Sequence, residues 1–531
     1  MTQQNENIKS HEEFKELFAV IAINNENFVT KAQILDFFNR SGILAKDQRI
    51  SDIIAILENN NNNDKIYFEE FIDITRSNFS ILQKSVNEQL IIPEFETFKK
   101  EITKIFKKVK DNKSGNVASY IPQLARVCPD KYAMSICTID GQKFNIGDSD
   151  EHFCIQSVCK PINYCIALEL NGEDKVHNHI GREPSGRGFN EITLNRRSLP
   201  HNPMINAGAI MSCSLINPKD SLADRFDKVM SYWQDLSGSI KPGYNNSVYH
   251  SEKATADRNF ALAYFMKELK SFPEGVNLYE TLDFYFQCCS IEVNTNSMSN
   301  IAATLANSGI CPNTDKKVFS PETVKHCLSL MYSCGMYDFS GEFAFSVGIP
   351  AKSGVAGGLM IVVPNLMGIA VWSPRLDEMG NTVRGVEFCK ELVKTFNFHN
   401  YDSLIGASQK IDPRIKSNNK YINQIFSFIF AASQGDLKEV KHLIAHGADI
   451  NSCDYDGRTA IHLASAEGEI DLVKFLIANN VNISVKDRWG NTPLDDAKAN
   501  NHTEVIAILE SILGKNKKDG ALVNKGKKVA A

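Results

Sequence analysis

Apolar residues recur at helical spacing in four stretches near the start of the chain, HEEFKELFAVIA, KAQILDFFNRSG, ISDIIAILE and FEEFIDITRS, with short polar gaps between them. Such a stripe needs a partner face, so the pattern predicts two packed helix pairs over 8–92. The next stretch, FKKEITKIFKKVKDNKSG, keeps the stripe through Phe98, Ile102, Ile105 and Phe106. It reads as a linker helix over 93–116 whose lysines form a solvated face. Over 117–400 glycines and turn signals multiply, marking a separate domain. Its most apolar run, Gly354 to Trp372, is broken by Pro364-Asn365 between two β-rich segments, which predicts a buried hairpin and not a membrane span. Further on, Gly435, Gly468 and Asn501 stand 33 residues apart, and GRTAIHLA at Gly457 recurs as GNTPLDDA at Gly490. That period predicts stacked repeats over 420–512. Residues 513–531 are polar and basic without periodicity and predict a disordered tail.

Composition adds limits. A chain of 531 residues exceeds what one core organises, and 43% apolar with 23% charged residues excludes a mainly disordered or fibrous protein. The net charge of -5 gives no global pull toward nucleic acid or membrane. Thirteen cysteines without a C-x-x-C pair or a secretory segment argue against zinc ribbons and a disulfide framework, and for a reducing compartment. The segment MTQQNENIKSHEEFKELF carries four glutamates, where a mitochondrial presequence is Arg-rich and poor in acids. A cytoplasmic location is expected, with mitochondria as the alternative.

Two of the segments resemble known modules. The gap from Asn59 to Glu70 has EF-hand-like phase, with oxygens at Asn59, Asn61 and Asn63, an apolar Ile66, and Glu70 at the twelfth position. Neutral amides replace carboxylates there and Asp64 stands where the turn wants Gly, so a structural or dimerising helical module is favoured over calcium binding. The 33-residue period, with its T-x-L-x-x-A-like openings, resembles ankyrin repeats, about two and a half of them from Phe430 to Ile512. So few repeats are expected to pack on another part of the protein or on a partner.

The middle segment carries the chemistry. In SVCKPINYCIALEL, Ser157 and Lys160 are three apart and share one helix face, so Oγ and Nζ can meet. Pro161 is tolerated only in a first turn, which puts Ser157 near a helix N-terminus. There the helix dipole disfavours an ammonium and favours the neutral amine that can take the serine proton. Alone, S-x-x-K is a chance-level motif. Lys352-Ser353-Gly354 just before the hairpin raises its weight, because S-x-x-K with a later K-[ST]-G on an edge strand is the serine β-lactamase and penicillin-binding-protein arrangement. Gly354 permits close backbone approach, and an N–H beyond it, with that of Ser157, can form an oxyanion hole.

Further strings, SYIPQLA, EPSG, HNPMINAGAI, SEKATADRNFA, CGMYDFSGEFAF and GIPAKSGVAGG, resemble the kidney- and liver-type glutaminase family. The resemblance spans nearly the whole chain. It implies a multidomain protein: an α+β β-lactamase/penicillin-binding-protein-like catalytic domain, an antiparallel sheet flanked by helices, between an all-α EF-hand-like module and ankyrin repeats. It implies hydrolysis of L-glutamine to L-glutamate and ammonia without cofactor or metal, with Ser157 as acylated nucleophile, Lys160 as base and Tyr337 assisting proton transfer. Tyr120, Asn206, Glu252, Asn259 and Tyr285 match its substrate contacts, and Val355 its oxyanion donor. Glu252 and Asn259, seven apart, are expected two turns along one helix, both facing one pocket.

Family members are tetramers, and several are activated by inorganic phosphate through the loop between EPSG and HNP. Here that loop reads RGFNEITLNRRSLP, with Thr193 where vertebrate kidney-type enzymes carry an aromatic, so regulation is not carried over. Arg196 and Arg197 are phosphate candidates or plain surface. Two rival readings are a β-lactamase or peptidase of the same fold and a catalytically silent ankyrin scaffold; the intact Ser157, Lys160 and Tyr337 set weighs against the second.

Overall fold

The apolar run from Gly354 lies at the centre of a sheet in the computed structural model, which describes residues 2–22, 27–59, 64–188, 190–404, 410–445 and 447–526. Strands Gly358–Val363 and Met367–Trp372 pair antiparallel around a turn at which Asn365 has φ of 59°. The sheet has five antiparallel strands in the order Lys143–Gly147, Ala133–Thr138, Met367–Trp372, Gly358–Val363, Ala351–Ser353. Both faces are covered, which is why its central strands read as unbroken apolar runs. Met360, Val362 and Ala370 face a core shared with helices Cys159–Asn171, Asn206–Ser214, Leu278–Cys289 and Thr295–Ala306. Leu359, Ile361, Ile369 and Val371, the alternate residues, face a second core.

The helix Phe95–Lys110 belongs to that second core, where Phe98, Ile102, Ile105, Phe106 and Val109 are buried alongside helix Val383–Thr395. It is a layer of the sheet domain and not the linker predicted over 93–116. An apolar stripe that wide cannot stay solvated, although Lys104, Lys107, Lys108 and Lys110 do lie on the exposed side.

The sheet domain belongs to one compact unit, Met1–Asn400, together with the N-terminal helices. In the latter, strands Phe28–Thr30 and Lys65–Tyr67 pair antiparallel with Val29 opposite Ile66, both fully buried, between helices Thr2–Ile21 and Lys31–Arg40 and helices Ser51–Asn59 and Phe68–Thr75. Asn61 and Asn63, on which the EF-hand-like phase rests, lie outside the described residues. The module docks on the first turn of the sheet. Arg49 donates to the carbonyls of Asp140 at 2.5 Å and Gly141 at 3.1 Å, and Gln142 donates to those of Ser41 at 2.9 Å and Ile92 at 3.0 Å.

Among its described residues the second unit, Tyr401–Ala531, contains three helix pairs, Ser417–Ser433 with Leu437–Ala445, Ala460–Glu467 with Ile470–Ala478, and Pro493–Ala499 with Thr503–Gly526. The sequence period is visible in its caps. Thr459 and Thr492 each close a capping box with the residue three on, His462 and Asp495. Asp454 and Asp487 each accept two backbone N–H groups at the preceding turns. Three pairs replace the two and a half repeats expected. The last helix runs to Gly526, into the stretch predicted to be a disordered tail, and no proline interrupts it. Among the described residues no helix is long and apolar enough to cross a membrane.

Candidate active site

Ser157 lies in a single 3-10 turn, Gln156–Val158, and the helix Cys159–Asn171 follows at once, so Lys160 and Pro161 fall in its first turn as the sequence predicts. Lys160 Nζ is 3.0 Å from Ser157 Oγ. The residue before the serine, Gln156, has φ of 48°, a conformation that costs a non-glycine residue roughly 1–3 kcal/mol. Tyr337, with φ of 54°, reaches the same serine in a hydrogen bond that opposes the upward push of burial on its phenol pKa.

Lys160 is fully buried, and burial draws its amine down to about 8. Desolvation, more than the helix dipole invoked from the sequence, is the leading cause. Lys160 must be neutral to accept the serine proton, so kcat/KM is expected to climb as pH rises through about 8 and level off above it. A profile flat from about pH 6 to 10 would contradict this role for the amine.

The edge strand Ala351–Ser353 brings Lys352 to the other side. Its Nζ lies 4.5 Å from the centre of the Tyr337 ring and donates to the Ser353 carbonyl at 2.7 Å. Burial, and then the charge of Lys160, hold Lys352 well below the usual lysine range. A Cβ at Gly354 would stand 2.7 Å from the Ile155 carbonyl, so glycine lets this strand end reach the Ser157 turn. A Cβ at Gly335 would meet the Ala351 carbonyl at 1.8 Å, which fixes the approach to Tyr337.

Asn206 organises the polar side of the site. Its Oδ1 accepts from Lys160 Nζ at 2.8 Å and from the Tyr285 hydroxyl at 3.3 Å, and its Nδ2 donates to Asn190 and Asn259, each at 3.1 Å. Tyr120 donates to Glu252 at 2.6 Å. Burial raises the Glu252 carboxyl pKa, against hydrogen bonds from Tyr120 and Gln156 and the charge of Lys160.

Seven of the nine residues picked from the sequence, Tyr120, Ser157, Asn206, Glu252, Asn259, Tyr285 and Val355, line one cavity of about 340 Å³. Lys160 lies behind its wall, in contact through Ser157 and Asn206. Tyr337 lines the neighbouring, larger cavity of about 440 Å³. Glu252 and Asn259 converge as expected, but from two helices, Asn246–Ala254 and Asp257–Glu268. Thr255 and Ala256 leave helical geometry between them, and the Thr255 hydroxyl bonds back to the Ser251 carbonyl at 2.9 Å. The cavity also takes in Gln156, Asn190, Thr255, Arg258 and Cys289, which were not foreseen. Gln156 and Arg258 were adjacent in sequence to chosen residues; Asn190 and Cys289 carried no local signal.

An alcohol held against a buried amine, with an edge strand closing over them, defines a serine-type hydrolase that uses lysine as its base. A glutaminase family model matches residues 115–401, and an ankyrin-repeat model of three copies matches 428–519. Putative glutaminase 3 of Caenorhabditis elegans is 47% identical over 80% of this chain and 74% of its own. The mitochondrial liver isoform of glutaminase from Mus musculus is 45% identical over 80% of this chain and 71% of its own. The solved structure of a probable glutaminase, ybaS, superposes with a TM-score of 0.54 at 35% identity, covering 57% of this chain and 97% of that one. The chain belongs to the glutaminase family, and its activity is the hydrolysis of glutamine.

Proposed function

We propose that free L-glutamine is hydrolysed through a γ-glutamyl ester on Ser157. The observation that carries this reading is the 3.0 Å contact between Lys160 Nζ and Ser157 Oγ. Ser157 attacks the side-chain amide carbon as its proton passes to Lys160. The backbone N–H groups of Ser157 and Val355 face the oxyanion, and Tyr337 assists the proton that lets ammonia leave. Water then hydrolyses the ester with the same base. Glu252 takes the substrate α-ammonium, while Asn206, Asn259, Tyr285 and Tyr120 hold its carboxylate and amide.

Replacing Glu252 with Gln removes a charge-assisted contact worth about 1.5–3 kcal/mol, so KM is expected to rise about tenfold to a hundredfold while kcat changes little. Steady-state ammonia release measures both constants; an unchanged KM removes Glu252 from the ammonium site. Ammonia release from free glutamine, with none from peptide-linked glutamine and no hydrolysis of a chromogenic β-lactam, separates this function from its nearest rival.

Five further proposals complete the reading. The catalytic chains assemble as homotetramers, as the family resemblance implies. The N-terminal helix pairs, joined by the Val29–Ile66 bridge, are an EF-hand-like structural module. The ankyrin repeats bind a protein partner. The protein acts in the cytoplasm or in mitochondria, the second being the location named for its liver-isoform relatives. Inorganic phosphate raises activity through the loop with the exposed Arg196 and Arg197; a phosphate titration of activity that stays flat disposes of this.

A further inference from the structure

Beside the serine lies a pair of thiols that the hydrolysis does not use. Cys159 sits between Ser157 and Lys160 in the chain and is fully buried; Cys289 ends the helix Leu278–Cys289. Their sulfurs are 3.8 Å apart, brought together by the fold from positions 130 residues distant. Cys289 is not sealed in, because it lines the cavity that receives the substrate, one turn beyond Tyr285. A passage that admits glutamine also admits a hydroperoxide. Two other paired thiols, Cys165 with Cys327 and Cys213 with Cys288, are fully buried, and none of those four lines the cavity.

We propose that Cys159 and Cys289 are a redox-sensitive pair, oxidised to a disulfide by a hydroperoxide that enters through the substrate pocket, and that this bond switches the hydrolase off until a thiol reductant opens it. The steps balance. The Cys289 sulfur, having lost its proton, attacks one peroxide oxygen; the O–O bond breaks, a sulfenic acid forms and hydroxide leaves, taking up the proton as water. The Cys159 sulfur, losing its own proton, then attacks the Cys289 sulfur; the S–S bond forms, the S–O bond breaks and a second water leaves. Two thiols lose two electrons and hydrogen peroxide is reduced to two waters. The hydrogen bond to Cys159, together with burial, keeps Cys289 as a thiol, and the charge of Lys160 acts in the opposite direction.

The switch acts through geometry. A disulfide requires sulfurs about 2.05 Å apart, so the pair must close well below its present 3.8 Å. Cys159 is bonded directly to Lys160 and lies two residues from Ser157, so its displacement moves both. A misplacement of about 1 Å in a catalytic pair costs about 100-fold in rate.

The inference rests on Ser157 and Lys160 as the working pair for its effect on activity, but the bond itself is read by mass whatever the site does. The experiment treats the full chain with hydrogen peroxide, removes the excess with catalase, and measures ammonia release beside a non-reducing peptide map. The expected result is a loss of about 100-fold that dithiothreitol reverses, with the Cys159 and Cys289 peptides joined and two hydrogens lost. Cys159→Val, or Cys159→Ala where valine lowers the melting temperature, keeps basal activity and shows neither the cross-link nor the reversible loss. A peroxide-treated wild type without the Cys159–Cys289 cross-link, a cross-linked one that retains full activity, or an equal reversible loss in the Cys159 variants overturns the proposal. A wild type that cross-links but never releases ammonia, treated or not, overturns the switch and points to the functional reading itself as the fault.

Discussion

Ser157→Ala is expected to lower ammonia release from glutamine by roughly 10⁴- to 10⁶-fold, since no second nucleophile stands in the turn. The substitution deletes one hydroxyl from a residue that is 8% exposed and leaves the helix Cys159–Asn171 and its packing in place. The melting temperature should therefore stay close to that of the wild type, which separates lost chemistry from lost fold. Initial rates and a thermal melt on the same preparation are the measurements. Turnover within an order of magnitude of wild type would remove Ser157 from the reaction.

Lys160→Arg is expected to be nearly as severe, a loss of about 10²- to 10⁴-fold. Arginine keeps the positive charge but does not give up its proton in a protein, so it cannot serve as base even where it fits. The site holds Lys160 without exposed surface, between Ser157 at 3.0 Å and Asn206 at 2.8 Å, and the wider guanidinium also strains that contact. Lys160→Met, which fits the space and carries no charge, controls for packing. Both variants should lose the rise of activity through about pH 8 in whatever rate remains. Arginine activity near wild type would show that charge, and not proton transfer, is what the position supplies.

The parts of this protein that could be read from its sequence are those fixed by local rules. Pro161 placed the Ser157 turn and Pro364-Asn365 placed the hairpin, because each depends on backbone geometry within a few residues, and the 33-residue spacing gave the ankyrin repeats because each unit packs only on its neighbours. What the sequence hid is tertiary. The stripe on helix Phe95–Lys110 announced an apolar face but not its partner, and that partner was the sheet. Glu252 and Asn259 share a pocket as foreseen, yet a break at Thr255 and Ala256, with no proline or glycine to announce it, puts them on separate helices. The left-handed backbones of Gln156 and Tyr337 had no signal either, since neither residue type favours them. Asn190 lines the cavity and accepts from Asn206, yet it comes from a loop whose composition reads as surface. The depression of the Lys160 pKa was foreseen in direction, but its main cause, burial, is a property of the packed domain.

The central claim is a covalent one, that the glutamyl group passes through Ser157. Enzyme mixed with glutamine, quenched in acid during turnover and digested, can be searched by mass spectrometry for the ester. The account predicts a γ-glutamyl group on the peptide containing Ser157, present only with substrate and absent from Ser157→Ala. Steady ammonia release with no acylated Ser157 at any quench time, or with the glutamyl group on another side chain, would contradict it.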